Sequence, residues 1–132
     1  MHMVTVTVAM LLILQVKHFV ADYLLQPGWM LRGKGDIRQA GGYVHAGVHA
    51  LGSLPAFYIA GLSVAQIAAF AAAEFAIHYT IDYTKARLGR YSKSGPTTHA
   101  YWAMHGADQL MHQFTYAGMI YVALRLTIAG AS

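Results

Sequence analysis

Cysteine is absent from this 132-residue chain, and charge is scarce. Without cysteine there are no disulfides, no iron–sulfur clusters and no thiolate zinc sites. Charged residues make up 11% of the sequence, against about 25% in an ordinary soluble domain. Nine basic and five acidic side chains cannot cover the polar surface that a soluble protein of this length needs. A bilayer removes that need, because lipid covers apolar surface instead. Low-complexity segments and long internal repeats are also missing. The net charge is +4, but the bases are neither spread along one helix face nor interleaved with aromatics. Nucleic acid is therefore not an expected partner.

Hydrophobic residues make up 57% of the chain, and they gather into four segments of about 3–25, 43–61, 63–83 and 101–128. Each is near the roughly 20 residues that cross a hydrocarbon core as a helix. Pro27 ends the first, and Pro55 predicts a kink in the second. The amino-terminal segment has no basic stretch before it and no small-residue cleavage site after it, so it reads as a retained helix. The expected fold is all-α: one integral-membrane four-helix bundle spanning residues 1–132, with a homodimer as a candidate assembly. Ala65, Ala69 and Ala73, and likewise Ala68, Ala72 and Ala76, predict close helix packing in lipid, as do Gly47 and Gly52.

The connections carry most of the positive charge: Arg32, Lys34 and Arg38 in Gln26–Gly42, then Lys85, Arg87, Arg90 and Lys93 in Lys85–Ala100. With four spans these two loops share a side. The positive-inside rule makes that side cytoplasmic and puts both termini outside, in a bacterial inner membrane. The turn near Gly61 carries no charge.

Four of the five carboxylates fall inside the apolar segments, and each has a histidine four positions away. His18 pairs with Asp22, His78 with both Glu74 and Asp82, and Asp108 with His112. The second segment holds His45 and His49, again four apart. That spacing puts two side chains on one helix face, one turn apart. All four helices place these residues toward the cytoplasmic end, so eight side chains converge on one layer. Glu74 lies one turn deeper. Ionisable groups inside a membrane are costly and point to function. Histidine with carboxylate and no sulfur suits zinc, with manganese or iron as alternatives. The predicted ligands are His18, Asp22, His45, His49, His78, Asp82, Asp108 and His112. The Glu-x-x-His spacing of di-iron bundles does not occur. Gln15, His105, Gln109 and Gln113 are expected to bond to neighbouring helices, and Lys17 to reach the interface with its amine.

The motifs H-F-V-A-D-Y-L-L-Q-P-x-W-M (His18 to Met30), His45–His49, H-Y-x-I-D-Y-x-K (His78 to Lys85) and D-Q-x-x-H (Asp108 to His112) resemble a group of small bacterial and phage membrane proteins. That group carries a domain-of-unknown-function label, and the similarity covers roughly residues 8 to 125. A looser resemblance to membrane-bound metal-dependent hydrolases implies metal-assisted hydrolysis.

Three functions follow as expectations. The first is a membrane-embedded metal hydrolase acting on a lipid or phosphate ester at the cytoplasmic leaflet. Glu74 and Asp82 would then be catalytic, with Lys85, Arg87 and Lys17 meeting the substrate phosphate. A metal-ion or proton transporter is the second, and a non-enzymatic membrane accessory protein the third.

Overall fold

The first apolar segment folds as helix α1 (His2–Phe19) followed by a π-helical turn over Val20–Leu24, in a computed structural model that describes residues 2–92 and 95–130. The Leu25 N–H bonds the Val20 carbonyl, five residues back, which widens this last turn. Pro27 lacks an amide hydrogen to extend the helix, and the chain restarts as α2 (Gly28–Gly33). This short helix stands within the expected loop. The second segment is two helices, α3 (Ala40–Gly52) and α4 (Leu54–Ile59). The break falls at Ser53, and Pro55 occupies the first turn of α4, where its missing N–H costs no hydrogen bond.

The third and fourth segments are longer than the expected spans. Helix α5 covers Val64–Ser92 and α6 covers His99–Gly130. Gly61, at φ 77, makes the turn into α5. Ser63 and Gln66 then exchange side-chain bonds with each other's backbone N–H groups at 3.3 and 2.8 Å, a reciprocal cap. The Thr98 hydroxyl accepts the Tyr101 N–H at 3.3 Å and starts α6. Lys93 lies outside the described residues.

Helix α3 packs on α5, α5 on α6, and α1 on both α4 and α6, while α2 lies across α3. The α2–α3 contact is close. A Cβ on Gly41 would stand 2.7 Å from the Met30 carbonyl oxygen, so no side chain fits there. This approach ties the basic segment around Arg32 and Lys34 to the end of the bundle.

The interior has two unlike halves. Toward the Gly61 turn it is apolar: Met10, Leu14, Phe57, Tyr116, Met119 and Ile120 form one cluster. Toward α2 it is polar, and among the described residues of α5 the buried ones are Glu74, His78 and Asp82. Val4, Val8, Leu12, Val16 and Phe19 of α1 are meanwhile exposed. Both alanine rows of α5 also face outward, which differs from the expected packing within the chain. Gly52 does lie against a neighbour, the Lys17 stem, but Gly47 faces open space. Two segments, Met3–Leu24 and Val64–Ser92, are long and apolar enough to cross a membrane.

Candidate metal centre

The polar layer draws its side chains from four helical segments. His18 and Asp22 come from α1 and its π-turn, and His45 and His49 from the middle and last turns of α3. His78 and Asp82 stand midway along α5, and Asp108 and His112 near the start of α6. The structure brings all eight together, as the i, i+4 spacing predicts.

Asp22 is one focus. Its Oδ1 lies 3.1 Å from both His45 Nε2 and His49 Nε2, and its Oδ2 lies 3.2 Å from His18 Nε2. Asp82 is the other. Its Oδ2 faces His45 Nε2 at 3.3 Å and His78 Nε2 at 3.4 Å, and its Oδ1 faces His112 Nε2 at 3.6 Å. His45 thus stands between the two carboxylates. The rings are crowded: His78 stacks on His49 at 3.7 Å between centroids and on His112 at 4.1 Å.

Two sets of side chains can each hold an ion: Asp22, His45, His49 and His78, or His78, Asp82 and His112. In each set one ligand atom per residue falls within 4.8 Å of the others. The sets share His78. Neither of its ring nitrogens makes an aligned hydrogen bond, although the residue is buried and Nε2 faces Asp82 at 3.4 Å. Buried polar atoms are nearly always paired, so a buried ring with neither nitrogen in an aligned hydrogen bond, among carboxylates, fits an ion bound there. Asp108 Oδ1 is likewise buried without a partner.

Outside this ring of ligands sits a set of orienting contacts. The Tyr116 hydroxyl lies 2.8 Å from His18 Nδ1 and 3.5 Å from His49 Nδ1. Gln109 Oε1 lies 3.0 Å from His18 Nε2, and the Gln26 amide nitrogen lies 3.0 Å from His45 Nδ1. Such contacts fix ring orientation. Gln15 and Gln113 bond to each other one layer deeper, across α1 and α6.

Lys17 differs from the expectation of a side chain reaching the interface. It is 9% exposed, and its ammonium pairs with Glu74 inside the bundle. It also donates to the His49 carbonyl at 3.2 Å and faces His49 Nδ1 at 3.3 Å. The reason is packing: α1 crosses α3 where Gly52 leaves room for the lysine stem. Glu74 is correspondingly engaged rather than free, with only Oε2 lacking a partner.

A cavity of about 620 Å³ opens from the layer toward the basic loops. Asp22, Asp82 and Asp108 line its floor, and Arg32, Lys34, Lys85, Arg90 and His105 line its walls. Lys85 Nζ lies 2.6 Å from Asp108 Oδ2, and Lys34 Nζ lies 2.7 Å from Asp82 Oδ2. His105 faces Lys85 at 3.3 Å. Arg87 does not line this cavity; it reaches Tyr91 on its own helix. Arg90 instead holds the basic segment in place, donating to the Arg32 and Gly35 carbonyls. Reasoning from the sequence placed Lys34 in the loop charge but missed its ion pair. The signal was the pair of glycines flanking it, Gly33 and Gly35, where a Cβ would stand 2.9 Å from Gly41 Cα and 3.0 Å from the Arg90 guanidinium carbon, respectively.

A family model described as "Protein of unknown function (DUF3307)" matches residues 8–131. No curated protein matches the chain, and no solved structure does.

Proposed function

This chain belongs to the DUF3307 family, and we propose that it is a four-span membrane protein whose histidine–aspartate layer binds a divalent metal ion and hydrolyses a phosphate ester at the cytoplasmic leaflet. The membrane reading rests on an interior that is charged and a surface that is apolar. Helix α5 buries Glu74, His78 and Asp82 while its alanines face out. Lipid is the solvent in which that arrangement is stable, because the polar groups then find their partners inside the bundle.

The metal reading rests on His78. Its ring lies between Asp22 and Asp82 with neither nitrogen in an aligned hydrogen bond, and His45, His49 and His112 surround it. Zinc suits this donor set best, and manganese or iron are the alternatives. A bound ion would lower the pKa of a water and polarise a phosphoryl oxygen. The chain's own residues supply the rest. Asp22 and Tyr116 orient the imidazoles. Asp108, on the cavity floor with an unpartnered oxygen, is placed to accept a proton from the attacking water. Asp82 belongs to the ligand set, and Glu74 neutralises Lys17. Lys34, Lys85, Arg32 and Arg90 draw an anionic group into the cavity. Beneath the layer the described interior around Leu14, Phe57 and Ile120 is an apolar cluster, which favours a site open on one side over a transport route.

Elemental analysis of the purified protein tests the metal. Zinc or another divalent ion should copurify in stoichiometric amount and fall in His45→Ala and Asp82→Ala, each of which breaks one of the two ligand sets. Full occupancy in both variants would refute the assignment. Release of inorganic phosphate from a panel of phosphomonoesters tests the chemistry. Metal flux into liposomes above background would instead favour transport.

A further inference from the structure

We propose that Lys34 and Lys85 form a masked binding site for a phosphate-bearing anion, which the metal ion opens. The inference rests on the metal reading above and concerns how ion and substrate binding are coupled.

Both lysines line the cavity, and both are turned down onto its floor. Lys85 Nζ sits on Asp108 and Lys34 Nζ on Asp82. The second contact is unusual. The atoms are 2.7 Å apart, yet Asp82 Oδ2 has no partner that meets hydrogen-bond alignment. The ammonium is held by charge more than by direction. It belongs to a side chain flanked by Gly33 and Gly35, next to a cavity it can turn into.

A divalent ion changes the balance at that atom. Held by His78 and His112, it takes its carboxylate from Asp82, the remaining member of the set. Ligand bonds of about 2.0–2.2 Å draw the carboxylate's charge onto the ion. The ammonium then loses its counter-charge and faces a like charge a few ångströms away. Lys34 must leave, and the cavity is the space next to it.

The cavity's charge count agrees. With histidines neutral, its lining holds three carboxylates (Asp22, Asp82, Asp108) against four cations (Arg32, Lys34, Lys85, Arg90), a net of +1. A divalent ion raises this to +3, and a phosphate dianion returns it to +1. Ion and anion therefore bind cooperatively, and linkage makes the effect equal in both directions. The anion is a phosphate group, carried either by a lipid headgroup or by a soluble ester.

The experiment uses the full chain in phosphatidylcholine nanodiscs, with zinc affinity measured calorimetrically at buffered free zinc. One arm has no addition, a second adds inorganic phosphate, and a third dopes the nanodisc with phosphatidic acid. Zinc should bind on the order of tenfold tighter with a phosphate-bearing anion present. Lys34→Met should bind zinc more tightly than wild type without anion and lose the enhancement, while Lys34→Arg keeps it. Lys85→Met, on the other carboxylate, should weaken the enhancement independently. Enhancement by phosphatidic acid alone assigns the site to a lipid headgroup, and by inorganic phosphate to a soluble ester. Zinc binding that ignores both anions overturns the coupling and leaves the metal centre standing. An enhancement that survives in both methionine variants also overturns it. No zinc binding in any arm overturns the metal reading, and the coupling falls with it.

Discussion

Replacing Lys17 with methionine should destabilise the bundle far more than replacing Lys17 and Glu74 together. Lys17 is the sole cation on Glu74 among the described contacts, and Glu74 is fully buried. Its Oε2 already lacks a partner. Removing the ammonium leaves a carboxylate in an apolar setting with neither oxygen satisfied. Breaking a buried pair in this way costs about 3–5 kcal/mol. Lys17 also bonds the His49 carbonyl, which adds about 1 kcal/mol. Methionine fills the volume of the lysine stem against Gly52, so packing contributes little. The double variant Lys17→Met with Glu74→Leu removes both charges, and a hydrophobic replacement of a buried pair is often neutral or stabilising by about 1–4 kcal/mol. A double-mutant cycle on unfolding in detergent micelles therefore predicts a coupling of at least about 2 kcal/mol between the two sites. If each single variant cost under about 1 kcal/mol and the effects simply added, the buried pair would not be holding the bundle, and the argument would fail.

His78→Ala should abolish metal retention more completely than any other single change, because both candidate ligand sets need that ring; elemental analysis reads the result. Metal content should fall as pH is lowered from about pH 8 to about pH 5, since imidazole binds metal only when unprotonated, and a flat profile would argue for an all-carboxylate site. Gly41→Val should lift α2 from α3, because the added Cβ would stand 2.7 Å from the Met30 carbonyl; a cost of about 1–3 kcal/mol and weaker anion binding should accompany each other. Phe57→Ala, in the apolar half, should cost about 3–5 kcal/mol in stability while leaving metal stoichiometry per folded protein unchanged.

The eight residues of the layer were legible in the sequence because both of their regularities are local. A spacing of four fixes a shared helix face, and distance from a basic loop fixes depth. His18, Asp22, His45, His49, His78, Asp82, Asp108 and His112 needed nothing more. The partners of that layer depend on how helices cross, and no local pattern encodes a crossing. Lys17 looked like an interfacial lysine because it ends an apolar run, but the groove at Gly52 draws it inward. Lys34 looked like loop charge until the contact between Gly33 and Gly41 folded its segment over the bundle. The π-turn at Val20–Leu24 was hidden for the same reason, since no residue within it forbids a continuous helix, whereas Pro55 marked the break at Ser53. Gln66 is the converse case. It is the lone polar residue of the apolar stretch Val64–Ala73, and its role is the local one of capping α5.

If the chain spans a membrane as proposed, the spacing of Glu74, His78 and Asp82 along α5 also bears on how it enters during synthesis. A segment with three ionisable groups on one stripe inserts poorly alone, at about 2.5–3.5 kcal/mol for an aspartate near its centre. Its counter-charges come from earlier in the chain: Lys17 from α1 and Lys34 from the segment before α3. By the time α5 emerges, both are already made. On that reading the order of helices along the chain is an order of assembly, in which the cations wait at the membrane for the carboxylates that follow.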